Sequence, residues 1–285
     1  MNSSNFYQEL FVLAQAYASR PDIVQAAGGN FSVKIDKERM LVKASGRMFG
    51  DVTPQGRGIV EVLYPPLISY TENTSLSVHD ELKQREVMMA ATTSTERPSM
   101  ETWFHAFLPT WVLHTHSVYV NILSCTKEGT ALFETLLQKE GLDYLILPYY
   151  TPGFELGKSL RDKLPEPAPQ IIFLENHGII VSGNSREECI ELHKQVEHII
   201  RSTLTIEGGF EERPLDPEEE KDFEDFILFP DQAIYPNHPT IRAAHRFIIK
   251  HIRKNGLSVR ALPAPEVKKL NALDSEKHRK NLLKY

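Results

Sequence analysis

With 285 residues, 41% of them apolar and 25% charged, the chain has enough material to bury a sizeable core, as one large domain or two small ones. A formal net charge of -6 argues against a general nucleic-acid or anionic-membrane binder, whose footprint would be basic. Cys125 and Cys189 stand outside any CxxC spacing, no run approaches the roughly 18 apolar residues of a membrane span, and the first residues lack an export signal, so a cytoplasmic protein with no membrane partner is expected.

In chain order, Phe6, Leu10, Leu13, Ala14 and Tyr17 recur at helical spacing, which predicts an amphipathic helix over residues 4–19, stopped before Pro21. Ala26-Ala27-Gly28-Gly29-Asn30-Phe31-Ser32-Val33-Lys34 then sets two glycines and short polar side chains ahead of a strand pattern. Such a loop is either an ordinary tight turn or a place where the backbone approaches a phosphate or substrate oxygen. Residues 40–44 pair with 31–36 as a predicted hairpin and run into Ser45-Gly46. A Ser-Gly at a strand end can offer a hydroxyl and a free N–H to an anion, though by itself it more often marks a turn. Residues 50–76 read as a surface excursion holding one strand, residues 59–63, and residues 80–91 as a helix.

Arg97-Pro98-Ser99-Met100-Glu101 precedes residues 102–108, predicted as a buried helix with Ser99 as N-cap, Glu101 in the first turn and Pro109 at the end. Residues 111–114 form a short predicted strand that delivers His114-Thr115-His116. Side chains two apart on a strand share a face, so the two imidazoles converge on one point. That reads as a metal site in need of a third ligand, and His177, in Glu175-Asn176-His177-Gly178, is the best candidate. In a chain with 11 histidines, an isolated HxH is more often a surface or hydrogen-bonded core pair, so both readings stand at this point. Helices are predicted over 117–124, 129–139 and 153–164, and strands over 144–149, 171–174 and 179–183, with His177 at a turn between the last two. Ser185 opens a helix through Leu204.

After Glu207-Gly208-Gly209 the composition shifts. Residues 214–221 are predicted as an exposed acidic connector, 226–231 with 232–235 as one interrupted strand, 240–254 as a helix, and 266–285 as one or two short helices. The expected organisation is a catalytic domain over 1–206 and an extension over 207–285 that packs on the core or on a neighbouring subunit.

Across residues 26–183, GGNFS, KASG, PSME with WFHAF, HTHS and ENHG resemble, in order, the signature series of the class II aldolase/adducin family. The wording is most similar to the aldolase portion of bifunctional rhamnulose-1-phosphate aldolase/dehydrogenase proteins, and the likeness reaches Phe229-Pro230-Asp231 and residues 266–279. The resemblance implies a three-layer α/β/α fold around a mainly antiparallel central sheet and a cyclic homotetramer with active sites between subunits. By matching position it implies Zn2+, or another divalent metal, on His114, His116 and His177, with Glu101 as the acid/base. It sets Gly29, Asn30, Ser45, Gly46 and Ser99 around the phosphate of a small phosphorylated sugar.

The implied reaction is retro-aldol cleavage of a deoxy-ketose 1-phosphate type of substrate to dihydroxyacetone phosphate and an aldehyde. Pentulose-phosphate 4-epimerisation, sugar-phosphate dehydration and a non-catalytic adducin-like binding module are the alternatives on this scaffold. One departure stands out: Ser99-Met100-Glu101 replaces the Ser-Ser-Glu of the fuculose-1-phosphate aldolase pattern and removes one phosphate-binding hydroxyl.

Overall fold

The structure, a computed structural model, describes residues 3–73, 77, 78 and 80–283. Residues 74–76 of the expected excursion and 284–285 of the expected C-terminal helices lie outside the described residues. One sheet is built from β1 (Asn30–Lys34), β2 (Arg39–Lys43), β3 (Ile59–Leu63), β4 (Trp111–Thr115), β5 (Tyr144–Leu147), β6 (Ile171–Leu174) and β7 (Gly178–Gly183). Its strand order is β3-β2-β1-β4-β7-β6-β5, and every neighbouring pair is antiparallel except β5 with β6.

Both faces of the sheet are covered, which explains why β4, β6 and β7 read as near-continuous apolar runs rather than as alternation. On one face Phe31, Leu113, Phe173 and Val181 pack with Leu10 and Leu13 of the helix Ser3–Ala18 and with Val196 and Ile200 of the helix Arg186–Thr203. On the other, Val112, Ile172 and Ile180 pack with Phe104, Leu156 and Leu160, while Val42, Val60 and Val62 pack with Leu67, Met88 and Trp103. The result is the expected α/β/α sandwich with a mainly antiparallel sheet.

Several local expectations are overturned. The excursion after residue 50 also contains a helix, Pro65–Glu72, whose two leading prolines suit the first turn, where no intrahelical N–H bond is lost. Around Glu101 only Thr102–His105 is helical, and Ser99 Oγ accepts the Glu101 N–H at 3.3 Å instead of capping a longer helix. Trp103 and Ala106 enter one apolar cluster and Phe104 and Leu108 another, so burial on two sides holds this segment as a compact turn without a single apolar stripe.

Past residue 206 the predicted connector is the helix Pro217–Asp225. Asp216 accepts the Glu218 and Glu219 N–H groups at 3.1 and 2.9 Å, and Glu219 reaches back to the Asp216 N–H at 3.0 Å. Asp-Pro-Glu-Glu is thus a capping box with proline in the first turn, and the acidic residues complement the positive end of the helix. The predicted strand over 226–235 is a turn followed by the helix Pro230–Ile234. There Gln232 donates to the Phe223 and Phe226 carbonyls at 2.9 Å each and accepts the Leu228 N–H at 2.8 Å, satisfying backbone groups for which a strand would need a neighbour. The helices Pro239–Lys254, Ala264–Ala272 and Asp274–Leu282 follow. Leu228, Phe229, Ile241 and Ile248 join the same cluster as Leu113 and Phe173, so this stretch is packed on the sheet domain.

Candidate metal centre

Pairing of Asn30 with His114 across β1 and β4, and of His114 with Ile180 across β4 and β7, fixes His114 in the middle of the sheet with none of its surface exposed. His116 follows the end of β4, and His177 sits in the β6–β7 turn. Gly178 is essential to that turn: a Cβ there would lie 2.2 Å from the Thr115 carbonyl oxygen, so the turn crosses directly over the end of β4 and brings His177 beside His116. His114 Nδ1 donates to the Ile179 carbonyl at 3.0 Å, which leaves Nε2 as the lone-pair nitrogen. Asp231 Oδ2 lies 2.8 Å from His116 Nδ1, behind the ring nitrogen that faces His114.

The Nε2 atoms of His114 and His116 are 3.0 Å apart. That spacing suits a hydrogen bond from His116 to the His114 lone pair, or a cation shared by the two rings. Burial is the main cause that holds His114 and His177 well below the usual imidazole range, so both present neutral nitrogens able to bind a cation. Glu101 Oε2 is 3.5 Å from His114 Nε2, its Oε1 is 3.4 Å from His177 Nε2, and Oε1 is buried without a hydrogen-bond partner. The ligand atoms of Glu101, His114, His116 and His177 all lie within 4.8 Å of one another, a buried group able to hold a divalent metal.

Glu101 is held by a directed chain of hydrogen bonds. Ser32 Oγ donates to His105 Nδ1 at 2.7 Å, His105 Nε2 donates to Asn30 Oδ1 at 2.5 Å, and Asn30 Nδ2 donates to Glu101 Oε2 at 2.7 Å. His105 is kept neutral because burial lowers its pKa to about 3. The orientation of the Asn30 amide is therefore fixed from behind. Burial raises the Glu101 carboxyl above its ordinary value, against the pull of His116, Arg279 and the Asn30 bond. Gly29, Asn30, Ser45, Gly46 and Ser99 line one small cavity with Glu101, His116 and His177. Gly29 has φ of 67°, and a Cβ there would stand 2.8 Å from the His114 carbonyl oxygen, so the loop lies against β4 only because it is glycine.

The model of the Class II Aldolase and Adducin N-terminal domain matches residues 8–204. The chain belongs to this family. Uncharacterized oxidoreductase YuxG of Bacillus subtilis (strain 168) is 31% identical over 134 residues, which is 44% of this chain, and the chain spans only 19% of that relative's length. The 3-oxo-tetronate 4-phosphate decarboxylase of Haemophilus influenzae is 25% identical over 215 residues, covering 70% of this chain and 88% of that protein. The N-terminal class II aldolase domain of a conserved protein from Thermoplasma acidophilum superposes with a TM-score of 0.59 at 23% identity, over 68% of this chain and 92% of that one. A sugar-phosphate aldolase from Thermotoga maritima gives 0.52 at 14% identity, over 71% and 94%. At these identities the solved structures speak for the class II aldolase fold alone.

Spacing and motif reading assign no role to several residues that border this candidate site. Lys43 lines the cavity with its Nζ donating to the Ala27 carbonyl at 3.3 Å and to the Arg47 carbonyl at 2.5 Å, and burial lowers it to about 7. A charged residue inside the apolar run of β2 was the available signal. His105 stands in the WFHAF stretch, and Asp231 and Arg279 in the C-terminal stretches that share the family resemblance, but no spacing ties any of them to its partner.

Proposed function

We propose that this chain is a zinc-dependent aldolase that cleaves a phosphorylated ketose, of deoxy-ketose 1-phosphate type, into dihydroxyacetone phosphate and an aldehyde. The reading is carried by the convergence of three imidazoles and Glu101 within 4.8 Å, beside the glycine loops. Retro-aldol cleavage breaks the bond between C3 and C4 and leaves negative charge on an enediolate. A divalent cation held by His114, His116 and His177 supplies Lewis-acid stabilisation of that charge when bound. Glu101 moves the proton at C3, its raised carboxyl binding a proton more readily than an exposed one and Asn30 holding it in place. The backbones of Gly29 and Gly46 and the side chains of Asn30, Ser45 and Ser99 hold the phosphate, with Met100 leaving that subsite one hydroxyl short. The catalytic domain is 1–206, with 207–285 as its extension, in a cytoplasmic homotetramer that has neither nucleic acid nor membrane as a partner. Among the described residues no helix is long and apolar enough to cross a membrane.

The similarity to the 3-oxo-tetronate 4-phosphate decarboxylase favours a second reading. Loss of CO2 from a 2-hydroxy-3-oxo acid leaves its electron pair conjugated to the ketone as an enediolate, so the same residues serve. Product analysis on panels of ketose phosphates and 3-oxo acid phosphates separates the readings: triose phosphate with aldehyde, or CO2. An inverted sugar or a lost water would point to epimerase or dehydratase chemistry. Turnover that stops in Glu101→Gln is expected. A preparation without divalent metal and without turnover of any substrate would sink the enzyme reading and leave the adducin-like binding module.

A further inference from the structure

Behind His116 lies a chain of charge that comes entirely from the last third of the sequence. Asp231 is 1% exposed, and its Oδ2 stands 2.8 Å from His116 Nδ1. The contact is close but not aligned as a hydrogen bond, and neither atom has another partner, which leaves the two to satisfy each other. The second Asp231 oxygen accepts from Arg279 Nη2 at 2.9 Å. Arg279 Nη1 in turn donates to both oxygens of Glu276 at 2.9 Å, and its guanidinium lies 5.4 Å from the Tyr235 ring centre. The helix that carries Arg279 is pinned at its start by Arg85 on Asp274 at 2.7 Å and by Ser275 on Glu81 at 3.1 Å.

We infer that Asp231 is the carboxylate that orients His116 as a metal ligand, and that Arg279 is the residue that holds Asp231 in place, so that the segment beyond residue 206 completes the metal centre. The inference rests on the reading of Glu101, His114, His116 and His177 as that centre. A carboxylate on the far nitrogen of a ligating imidazole fixes its tautomer and raises its basicity. Arg279 lines the cavity and invites a different assignment, as a receptor for the substrate's phosphate. Its hydrogen bonds favour the role of holding Asp231: each Nη atom already donates to a carboxylate, Nη1 to Glu276 and Nη2 to Asp231, and these two carboxylates more than balance the guanidinium. Gly28 is part of the same design, since a Cβ there would fall 2.2 Å from Asp231 Oδ2 and 2.8 Å from His116 Nδ1.

The test is metal affinity of the full chain, measured by competition with a chromophoric chelator for Zn2+, together with the absorption spectrum of the Co2+-loaded protein. Asp231→Asn is expected to weaken Zn2+ binding by about 10- to 100-fold and to shift the Co2+ bands at saturating metal, which a purely structural staple would not do. Gly28→Ala keeps every ligand and carboxylate in the chain but drives a methyl between ring and carboxylate, so it should weaken binding in the same direction even if Asp231→Asn folds poorly. Arg279→Gln should give a smaller loss than Asp231→Asn. Tight binding by the parent with unchanged affinity and spectrum in both Asp231→Asn and Gly28→Ala would overturn the inference and leave the metal centre standing. Failure of the parent itself to bind Zn2+ or Co2+ would overturn both.

Discussion

Glu197 offers a quantitative check on the packing behind the site. It lies in the helix Arg186–Thr203, is 6% exposed, and accepts the Ser117 hydroxyl at 2.6 Å, one residue beyond His116. Burial pushes its carboxyl from 4.5 up to about 7, against the opposing pull of Ser117 and Arg20. A folded-state pKa above the unfolded one means that the native protein holds a proton the unfolded chain has released. The stabilisation is complete below the unfolded pKa of 4.5 and is lost as pH rises through about 7. At about 1.4 kcal/mol per unit, the difference is worth about 3 kcal/mol in all, of which about 2.5 kcal/mol falls between about pH 5 and about pH 8. Glu197→Gln keeps an acceptor for Ser117 and removes the titration. Urea unfolding of both proteins across that window should therefore show the parent losing about 2.5 kcal/mol relative to the variant, with other titrating groups cancelling in the difference. Parallel stability curves would refute the buried, proton-holding carboxyl.

Free Zn2+ at about a hundredfold over its dissociation constant should stabilise the parent by about 2.7 kcal/mol in thermal unfolding, and His116→Ala should abolish the effect. In His105→Leu the buried Asn30 and Ser32 groups lose their partner; a cost of about 2–4 kcal/mol is expected. The same variant should show turnover falling more than KM rises, because Glu101 loses its fixed neighbour. Gly157→Ala sets a methyl 2.6 Å from Trp103 Cβ, where the helix Phe154–Lys163 crosses the Glu101 turn. Its urea midpoint should drop by the equivalent of about 1–3 kcal/mol. Asn176 Nδ2 donates to the Leu228 carbonyl at 2.8 Å and to the Arg260 carbonyl at 2.7 Å, so Asn176→Ala should speed hydrogen exchange around residues 228 and 260 while exchange in β4 stays slow.

The site was legible in the sequence to the extent that local geometry specifies it. His114 lies on β4 and His116 one residue past its end, and the period-2 expectation that they meet agrees with their Nε2 atoms standing 3.0 Å apart. Gly29 and Gly46 have φ of 67° and 71°, and their positions were visible because glycine is the residue such a backbone requires. Where local rules compete, the sequence is ambiguous. Residues 226–229 are too short an apolar run to separate strand from buried irregular chain, and the acidic residues of the capping box at Asp216 look the same in a solvated connector as in a helix first turn.

The sequence by itself determined the strands, the turns and the kinds of ligand atom, because these follow from dihedral preference and from the period of apolar residues. Only the tertiary structure decided which carboxylate stands behind His116, which imidazole fixes the Asn30 amide, and which arginine holds Asp231. Those pairings join segments far apart in the chain. They are selected by how the helices seat on the sheet and by the cost of leaving a buried charge without a partner, and neither leaves a spacing to read.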